Sequence, residues 1–564
     1  MADHANQVFA DIVQAAGIEY VFGMPGGVTP FLFDALTDKA PGVTCVLSRH
    51  EGAASCMADM AARLTGKPAI VMGQGLWIGT SGAFGIVESA LAGTPMVIIT
   101  ETSDYANLPQ HMPYQCCTGE YGSVDLPAIM KAMCKFTTFA TTPIEFLHGV
   151  QLAIKHAMSG RPGPAAVVCR WNAAVGALDL KNAMPRLHPV QGHLNVAPPA
   201  PDPAAAQSAA ELLIGAKNPV LVAGIGIHLA RAYDELRELA ELLGMAVATS
   251  FMGKSAIPET HDLAVGMMGR IGQAAANKAV SGADVILAAG TGLAPDNTLM
   301  LSPDYIRPAE QSIIQIDIEP RNIGFTFPVH TGIVSDARAA LRALIEAVKS
   351  SGGKIDASAR RAAVAELKQK NKFFECPLFM SDAAPIAPER VVAEAQAQLR
   401  PEDLVVLDAG NNRMFFAKYL RTLRAGQLVG AGGAAGIGWG VPAAVAAQIV
   451  RPDTRVICMV GDGGLMSTFS ALETARQHNL PLTYVVLNNA SLGNVNDFIA
   501  PGRRQLTEYA HPNFAGMAAA MGFHTATVER PEDIRPALQA ALGHNGPALV
   551  DIHVNRSPHF TLMS

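Results

Sequence analysis

The sequence predicts an α/β protein of three domains built on parallel sheets. Three observations carry that prediction. Short apolar, β-rich runs alternate with amphipathic segments along the 564 residues, the pattern of strands joined by helices that cover both faces of a parallel sheet. Two irregular stretches interrupt the alternation. The chain is also longer than one hydrophobic core supports, so several domains of ordinary size are expected.

The first series of runs is 20–22, 44–47, 69–72, 96–100 and 165–169. The second is 219–223, 246–249, 285–288 and 313–316, and the third 404–407, 455–460, 483–487 and 548–552. Helical patterns at 204–213, 230–243 and 388–399 lie between them. Residues 174–203 are rich in Pro and Ala with little periodicity. Residues 350–388 combine a charged helical piece with a Pro-containing tail. Cutting at these two breaks yields domains at 1–175, 200–350 and 385–555, each of common size.

Hydrophobic residues make up 49% of the chain and charged residues 16%, which excludes disorder for most of it. A net charge of −6, from 42 basic and 48 acidic residues, leaves no electrostatic footprint for nucleic acid or an anionic membrane. The eight cysteines are scattered without a C-x-x-C pair. With no secretory signal pattern at the N-terminus, they predict a reducing, cytoplasmic setting. Residues 68–87 and 425–450 are uncharged and long enough to span a bilayer. Their glycines, and Pro442 in the second, predict buried soluble segments where backbone comes close to a ligand.

The strongest local pattern follows the strand-like run RVICMV. It reads Gly461-Asp462-Gly463-Gly464, a helical stretch, and an apolar run ending in Asn488-Asn489. Glycines at a strand end let backbone touch a phosphate, and the following helix directs free N–H groups and its positive dipole end at the anion. Asp462 supplies a carboxylate there, and Asn489, one helix and one strand later, an amide oxygen. Together with a backbone carbonyl and phosphate oxygens they would complete an octahedral Mg²⁺ site, at the carboxyl ends of parallel strands where ligands bind. Read singly, each piece is an ordinary turn.

The segment GDGGLMSTFSALETARQHNLPLTYVVLNN resembles the thiamine diphosphate (ThDP) signature, GDG followed some thirty residues later by NN. By that resemblance Asp462, the Asn489 side chain and the Ser491 carbonyl bind Mg²⁺, with Gly463 and Gly464 beside the diphosphate. Asn411 and Asn412, in LDAGNN, match the position where relatives contact the diphosphate; as a bare pattern they are an Asn turn. GAGGAAGIGWGVPAAVAAQ resembles the segment that cradles the aminopyrimidine. Ile437 stands where relatives carry the bulky residue that bends the cofactor, and the Ala435 carbonyl would accept from the 4′-amino group. The same segment contains Gly430-x-Gly432-x-x-Ala435, a dinucleotide fingerprint, which keeps a nucleotide-binding oxidoreductase open as an alternative of another class.

Arg49-His50-Glu51-Gly52-Ala53-Ala54 follows the run TCVLS. Small residues after Glu51 let a helix pack closely, so its carboxyl would be largely buried. A Glu in the first turn of a helix is also simply favourable to the dipole. By the resemblance Glu51 is catalytic: bonded to N1′ of the pyrimidine, it promotes the imino form that removes the C2 proton and creates the ylid, an electron sink.

Residues 1–555 as a whole resemble the superfamily of acetolactate synthase, pyruvate oxidase and benzoylformate decarboxylase, through FGMPGGVTPFLFDAL, GRPGPAAVV and IIQIDIEPRNIG. The resemblance implies a pyrimidine-binding domain, a middle Rossmann-like domain and a diphosphate-binding domain, in that order. It also implies homodimers, often paired into tetramers, in which Glu51 of one subunit faces the diphosphate half of its neighbour.

Departures from the pattern concern the substrate. Val28, Tyr121, Asn494 and Phe498 are the expected pocket residues. Asn494 and Phe498 replace the Met and Trp usual in acetolactate synthases, which makes the pocket more polar. Tyr121 is followed by Gly122 where relatives acting on acyl-CoA carry a glutamate. GQGLWIGTSGAF replaces a GPGATN pattern. GTGLAPDNTLM lacks the Arg run of FAD-holding synthases, which makes FAD doubtful. No basic set for a CoA moiety is apparent, and Cys116-Cys117 has no evident His partner for nucleophilic chemistry. The expectation is a ThDP- and Mg²⁺-dependent, acetolactate-synthase-like carboligase or decarboxylase of 2-oxo acids and aldehydes, with a lyase of 2-hydroxyacyl-CoA or acyloins as the alternative.

Overall fold

The computed structural model describes residues 3–104, 115–120, 122–352, 355–496 and 498–556. Three six-stranded sheets organise it. The first runs, in spatial order, Thr44–Leu47, Tyr20–Met24, Ala69–Gly73, Met96–Glu101, Pro164–Cys169, Phe136–Ala140, every neighbouring pair parallel. The second runs Ala264–Met267, Ala246–Thr249, Pro219–Ala223, Val285–Ala289, Ser312–Asp317, Thr331–Val334, again parallel throughout. The third runs Leu428–Gly430, Leu404–Leu407, Val456–Gly461, Leu482–Asn488, Ala548–His553, His524–Val528, with parallel pairs on both sides of its centre. The expected α/β class with three parallel-sheet domains is therefore what the chain adopts.

Central strands such as Met96–Glu101 and Val285–Ala289 are buried along their whole length, as a parallel sheet covered on both faces requires. In the first sheet Ile70, Met72, Val97 and Ile99 share a core with Phe9, Leu32 and Phe146. In the second, Val220, Leu221 and Leu287 pack with Leu213, Leu236 and Leu344. In the third, Val405, Leu407, Ile457 and Val485 pack with Val391, Phe416 and Leu538.

The chain forms two compact units. One comprises residues 1–197, 431–453 and 466–482; the other 198–430, 454–465 and 483–564. The first unit is thus completed by two segments from late in the chain. Its helix Glu51–Thr65 is buried from Glu51 to Ala62, and the helix Gly440–Val450 is buried almost all round. Among the described residues no helix is long and apolar enough to cross a membrane. The uncharged stretch 68–87 is divided among Ala69–Gly73, the short helix Gly75–Thr80 and the start of Ala83–Ala92; the stretch 425–450 holds Leu428–Gly430, an irregular segment and Gly440–Val450.

Candidate active site

In the first unit, Glu51 opens its helix immediately after the edge strand Thr44–Leu47. His50 caps the helix, its Nδ1 accepting from the Gly52 N–H at 3.1 Å, which satisfies one orphan donor. Glu51 is 7% exposed, as the small residues behind it predict. A Cβ on Gly73, at the carboxyl end of Ala69–Gly73, would lie 3.4 Å from Glu51 Cγ. The Glu51 side chain thus lies at the carboxyl edge of the sheet.

The segment 431–439 of the same unit is held by a buried polar chain. The Glu88 carboxylate accepts from the backbone N–H groups of Gly432, Gly433, Ala434 and Ala435 at 3.0, 2.9, 2.7 and 3.0 Å. Arg63 pairs with Glu88 and Asp59, both at 2.8 Å, and Asp59 accepts from the Trp439 indole at 3.0 Å. The Arg63 guanidinium also lies over the Trp439 ring. Burial works against the Glu88 charge, but Arg63 and the Gly433 and Gly432 amides outweigh it and hold the carboxyl down at about 2. Successive backbone N–H groups in a turn form an anion-binding concavity, and here an internal carboxylate fills it. The N–H groups that a dinucleotide pyrophosphate would need in the Gly430-x-Gly432-x-x-Ala435 fingerprint are therefore engaged. Ala435 takes the left-handed conformation, φ 56°, which is costly for a residue with a Cβ. Ser467 and Thr468 hydroxyls donate to the Ile437 and Gly438 carbonyls, while the Ile437 side chain remains 43% exposed.

In the second unit, Val456–Gly461 ends and the helix Asp462–Ser467 begins without a gap. Asp462 is buried. Its Oδ1 accepts from the Gly463 N–H at 2.8 Å and its Oδ2 from the Ser491 N–H at 3.3 Å. Asn489 Oδ1 accepts from that same Ser491 N–H at 3.0 Å and from the Ser491 hydroxyl at 3.1 Å. A carboxylate oxygen and an amide oxygen from two strand ends thus converge on one point. Desolvation pushes Asp462 up to about 6, against the neutral donors of Gly463, Tyr509 and Ser491. The Ser491 carbonyl accepts from the Gly493 N–H at 2.8 Å. Ala490, at φ 52°, makes the tight turn between them, and the Arg556 guanidinium holds the Asn489 and Ala490 carbonyls at 2.9 and 3.3 Å.

Asn411 and Asn412 open the helix that follows Leu404–Leu407. A Cβ on Gly493 would lie 2.8 Å from Asn411 Nδ2 and 2.9 Å from Asn489 Nδ2, and one on Gly461 would lie 3.3 Å from Asn412 Nδ2. Asn411, Asn412, Asp462, Gly463, Gly464, Asn489 and Ser491 therefore gather at one carboxyl edge. Asn412 is buried, and its Oδ1 has no hydrogen-bond partner among the described residues. Among those residues no group of three or more His, Cys, Asp or Glu is placed to hold a metal ion.

The expected pocket residues are more dispersed. Asn494 is exposed in the short helical turn Gly493–Asn496, and Phe498 is 62% exposed. The buried amide of this segment is Asn496, whose Oδ1 accepts from the Thr507 hydroxyl at 2.6 Å. Val28 is 1% exposed and belongs to the core, because it heads the helix Thr29–Lys39 and packs inward. Tyr121 lies outside the described residues. Of the Cys116-Cys117 pair, Cys117 is buried and its thiol is pushed well up by burial and by Glu101, which disfavours the reactive thiolate.

Sequence reasoning missed Glu88, with its partners Arg63 and Asp59, and Glu101. Glu88 is the only charge of the helix Ala83–Ala92, and a lone charge in an apolar helix calls for a buried partner. Glu101 ends the fully buried strand Met96–Glu101. Burial pushes it up to about 7, against donors from Ser103.

The chain matches the family description "Thiamine pyrophosphate enzyme, N-terminal TPP binding domain" over residues 3–121, the central domain over 206–344 and the C-terminal TPP binding domain over 408–552. It is 29% identical to the acetolactate synthase isozyme 3 large subunit of Escherichia coli, covering 99% of this chain and 96% of that one. It is 30% identical to the acetolactate synthase large subunit of Haemophilus influenzae, with 96% and 93% covered. A probable acetolactate synthase large subunit of Methanococcus aeolicus is 28% identical, with 98% and 92% covered. The chain belongs to the thiamine pyrophosphate enzymes and is a ThDP-dependent enzyme of carboligase type.

Proposed function

We propose that the protein makes or breaks a carbon–carbon bond next to a carbonyl in 2-oxo acids, as an acetolactate-synthase-like carboligase or decarboxylase that uses ThDP with Mg²⁺. The observation that carries this reading is the convergence of Asp462 and Asn489 oxygens at the Ser491 N–H, with Asn411 and Asn412 at the same edge. Carboxylate and amide oxygens are the hard donors that Mg²⁺ takes, and Mg²⁺ completes its octahedron with phosphate oxygens rather than an all-protein cage. A buried carboxylate whose partners are neutral fits a cation, and glycines beside it leave room for a diphosphate.

In this reading Asp462, Asn489 and the Ser491 carbonyl hold the cation, and Asn411, Asn412, Gly463 and Gly464 hold the diphosphate. The Ala435 carbonyl and Ile437 orient the pyrimidine. Glu51 holds and moves a proton at N1′. Bound ThDP supplies the electron sink for the reacting carbonyl carbon. Val28, Tyr121, Asn494 and Phe498 remain the proposed source of substrate preference. Asn494 and Phe498 carry the most weight, because their side chains lie open beside the Asn489 turn. The domain division at 1–175, 200–350 and 385–555, a cytoplasmic location, and a homodimer or tetramer in which Glu51 of one subunit serves the neighbour's diphosphate half belong to the same proposal.

The test is product analysis by mass spectrometry after incubation with ThDP, Mg²⁺ and a panel of 2-oxo acids and aldehydes. Ligated or decarboxylated products are expected. In Glu51→Gln, which keeps the shape but cannot pass the proton, their formation should fall about 100- to 10,000-fold. Turnover confined to 2-hydroxyacyl thioesters or acyloins would replace the 2-oxo acid reading, and full activity in Glu51→Gln would remove Glu51 from it.

A further inference from the structure

The Glu88 carboxylate does something that neither the ThDP signature nor the glycine fingerprint announces. It gathers four consecutive backbone N–H groups, 432 to 435, within 2.7–3.0 Å. Such a concavity ordinarily attracts an external anion. Here the anion is built in, and its charge is balanced from within by Arg63 at 2.8 Å. The side chains of Arg63, Glu88 and Asp59 are nearly or fully buried, where an unpaired charge would be very costly. Asp59 continues the chain to the Trp439 indole. The segment 432–439 is thus fastened at its beginning by Glu88 and at its end by Asp59, through one shared arginine.

The fastening has a local consequence. Ala435 is the last of the four donors, and it is the residue held at φ 56°. An L-residue persists in that region only where the surroundings over-determine it. The surroundings here are the Glu88 bond to its own N–H and, two and three residues on, the Ser467 and Thr468 hydroxyls on the Ile437 and Gly438 carbonyls. A Cβ on Gly433 would meet the Ala92 N and Glu88 O at 2.8 Å, and one on Gly436 the Phe84 ring at 2.2 Å. The whole turn is seated on the helix that carries Glu88.

We propose that Glu88 is a positioning residue for the cofactor: with Arg63 it sets the backbone turn that presents the Ala435 carbonyl and the Ile437 side chain to the pyrimidine. The inference rests on the ThDP reading above and deepens it, because a mispositioned turn would weaken the grip on the pyrimidine while leaving the Asp462–Asn489 end intact.

The experiment compares the full-length wild type with Glu88→Gln, and with Glu88→Asp should the first variant fold poorly. Leu213→Ala, in the core of the middle sheet, serves as a control destabilised elsewhere. Hydrogen–deuterium exchange of peptides covering 432–435 is measured without cofactor, and C2–H exchange of bound ThDP by NMR at saturating ThDP and Mg²⁺. Hydrogen bonds to a charged acceptor are the strong ones. Amide exchange at 432–435 should therefore rise about 10-fold or more in the Glu88 variants, by the usual worth of such a bond. C2–H exchange at saturation should slow, and neither should change in Leu213→Ala. Unchanged amide exchange would overturn the proposal. So would faster amide exchange with C2–H exchange as in wild type, or the same slowing in Leu213→Ala. A wild type that binds no ThDP would overturn the ThDP reading itself, and that result is visible before any variant is made.

Discussion

Glu51, Asp462, Glu88 and Glu101 are four buried carboxyl groups in four different environments. Glu88 has a cation and four N–H donors, and it stays ionised. Asp462 has only neutral donors, and burial pushes it up. Glu101 is fully buried, and burial dominates the donors from Ser103. Its pKa in the folded chain, about 7, lies above the ordinary 4.5. The fold therefore favours the neutral acid. The stability linked to that neutral form is complete below the ordinary value and is lost as pH rises through about 7. Glu101→Gln keeps a neutral side chain at every pH. Relative to wild type, it should gain about 2–3 kcal/mol between about pH 4.5 and about pH 8, read by urea unfolding at both. An identical difference at the two pH values would show that Glu101 titrates normally. Asp462 titrates in both proteins and cancels.

At the level of elements, the seat of 431–439 makes a sharper demand than helix propensity. Gly433 has no room for a Cβ because the neighbours are backbone atoms of residues 88 and 92, which cannot swing away. Gly433→Ala should cost about 1–3 kcal/mol, as overpacking does, and should raise the ThDP concentration needed for half-saturation. Gly502→Ala, with open space around the site of its Cβ, should change neither. Urea unfolding and a ThDP titration of the two variants check this. The elements also show where sequence reading works. Every apolar run expected as a strand is one. In the three six-stranded sheets the strands that went unnamed, Phe136–Ala140, Ala264–Met267, Thr331–Val334, Leu428–Gly430 and His524–Val528, all lie at sheet edges. A central strand covered on both faces needs a continuous apolar run. An edge strand such as HTATV is partly exposed and does not, so periodicity passes over it; Ala264–Met267, buried throughout, is the exception.

Across the whole molecule, the same division separates what was legible from what was not. Asp462, Asn489, Asn411 and Asn412 stand far apart in sequence, yet each follows a strand of one parallel sheet. Parallel strands deliver their carboxyl ends to one edge, so spacing pointed to Asp462 and Asn489, and the family resemblance added Asn411 and Asn412. Glu88 and the glycines at 432 and 433 are more than three hundred residues apart, and no local rule connects them. Only the completion of the first unit by residues 431–453 does. Asn494 shows the remaining limit. In the turn after Asn489, Asn494 is exposed, and the buried amide is that of Asn496, bonded to the Thr507 hydroxyl. Side-chain direction in a short turn cannot be read from spacing.

In the proposed function this chain binds ThDP through a divalent cation held at Asp462. The most direct test is calorimetric titration of EDTA-treated protein with ThDP in the presence and absence of Mg²⁺, with Asp462→Ala and NAD as comparisons. A ligand that binds only the folded state also raises the unfolding temperature, so a thermal scan accompanies each titration. Saturable ThDP binding that requires Mg²⁺, is weakened in Asp462→Ala, and has no counterpart with NAD is expected. Binding of NAD without ThDP, or ThDP binding indifferent to Mg²⁺ and to the loss of Asp462, would contradict it.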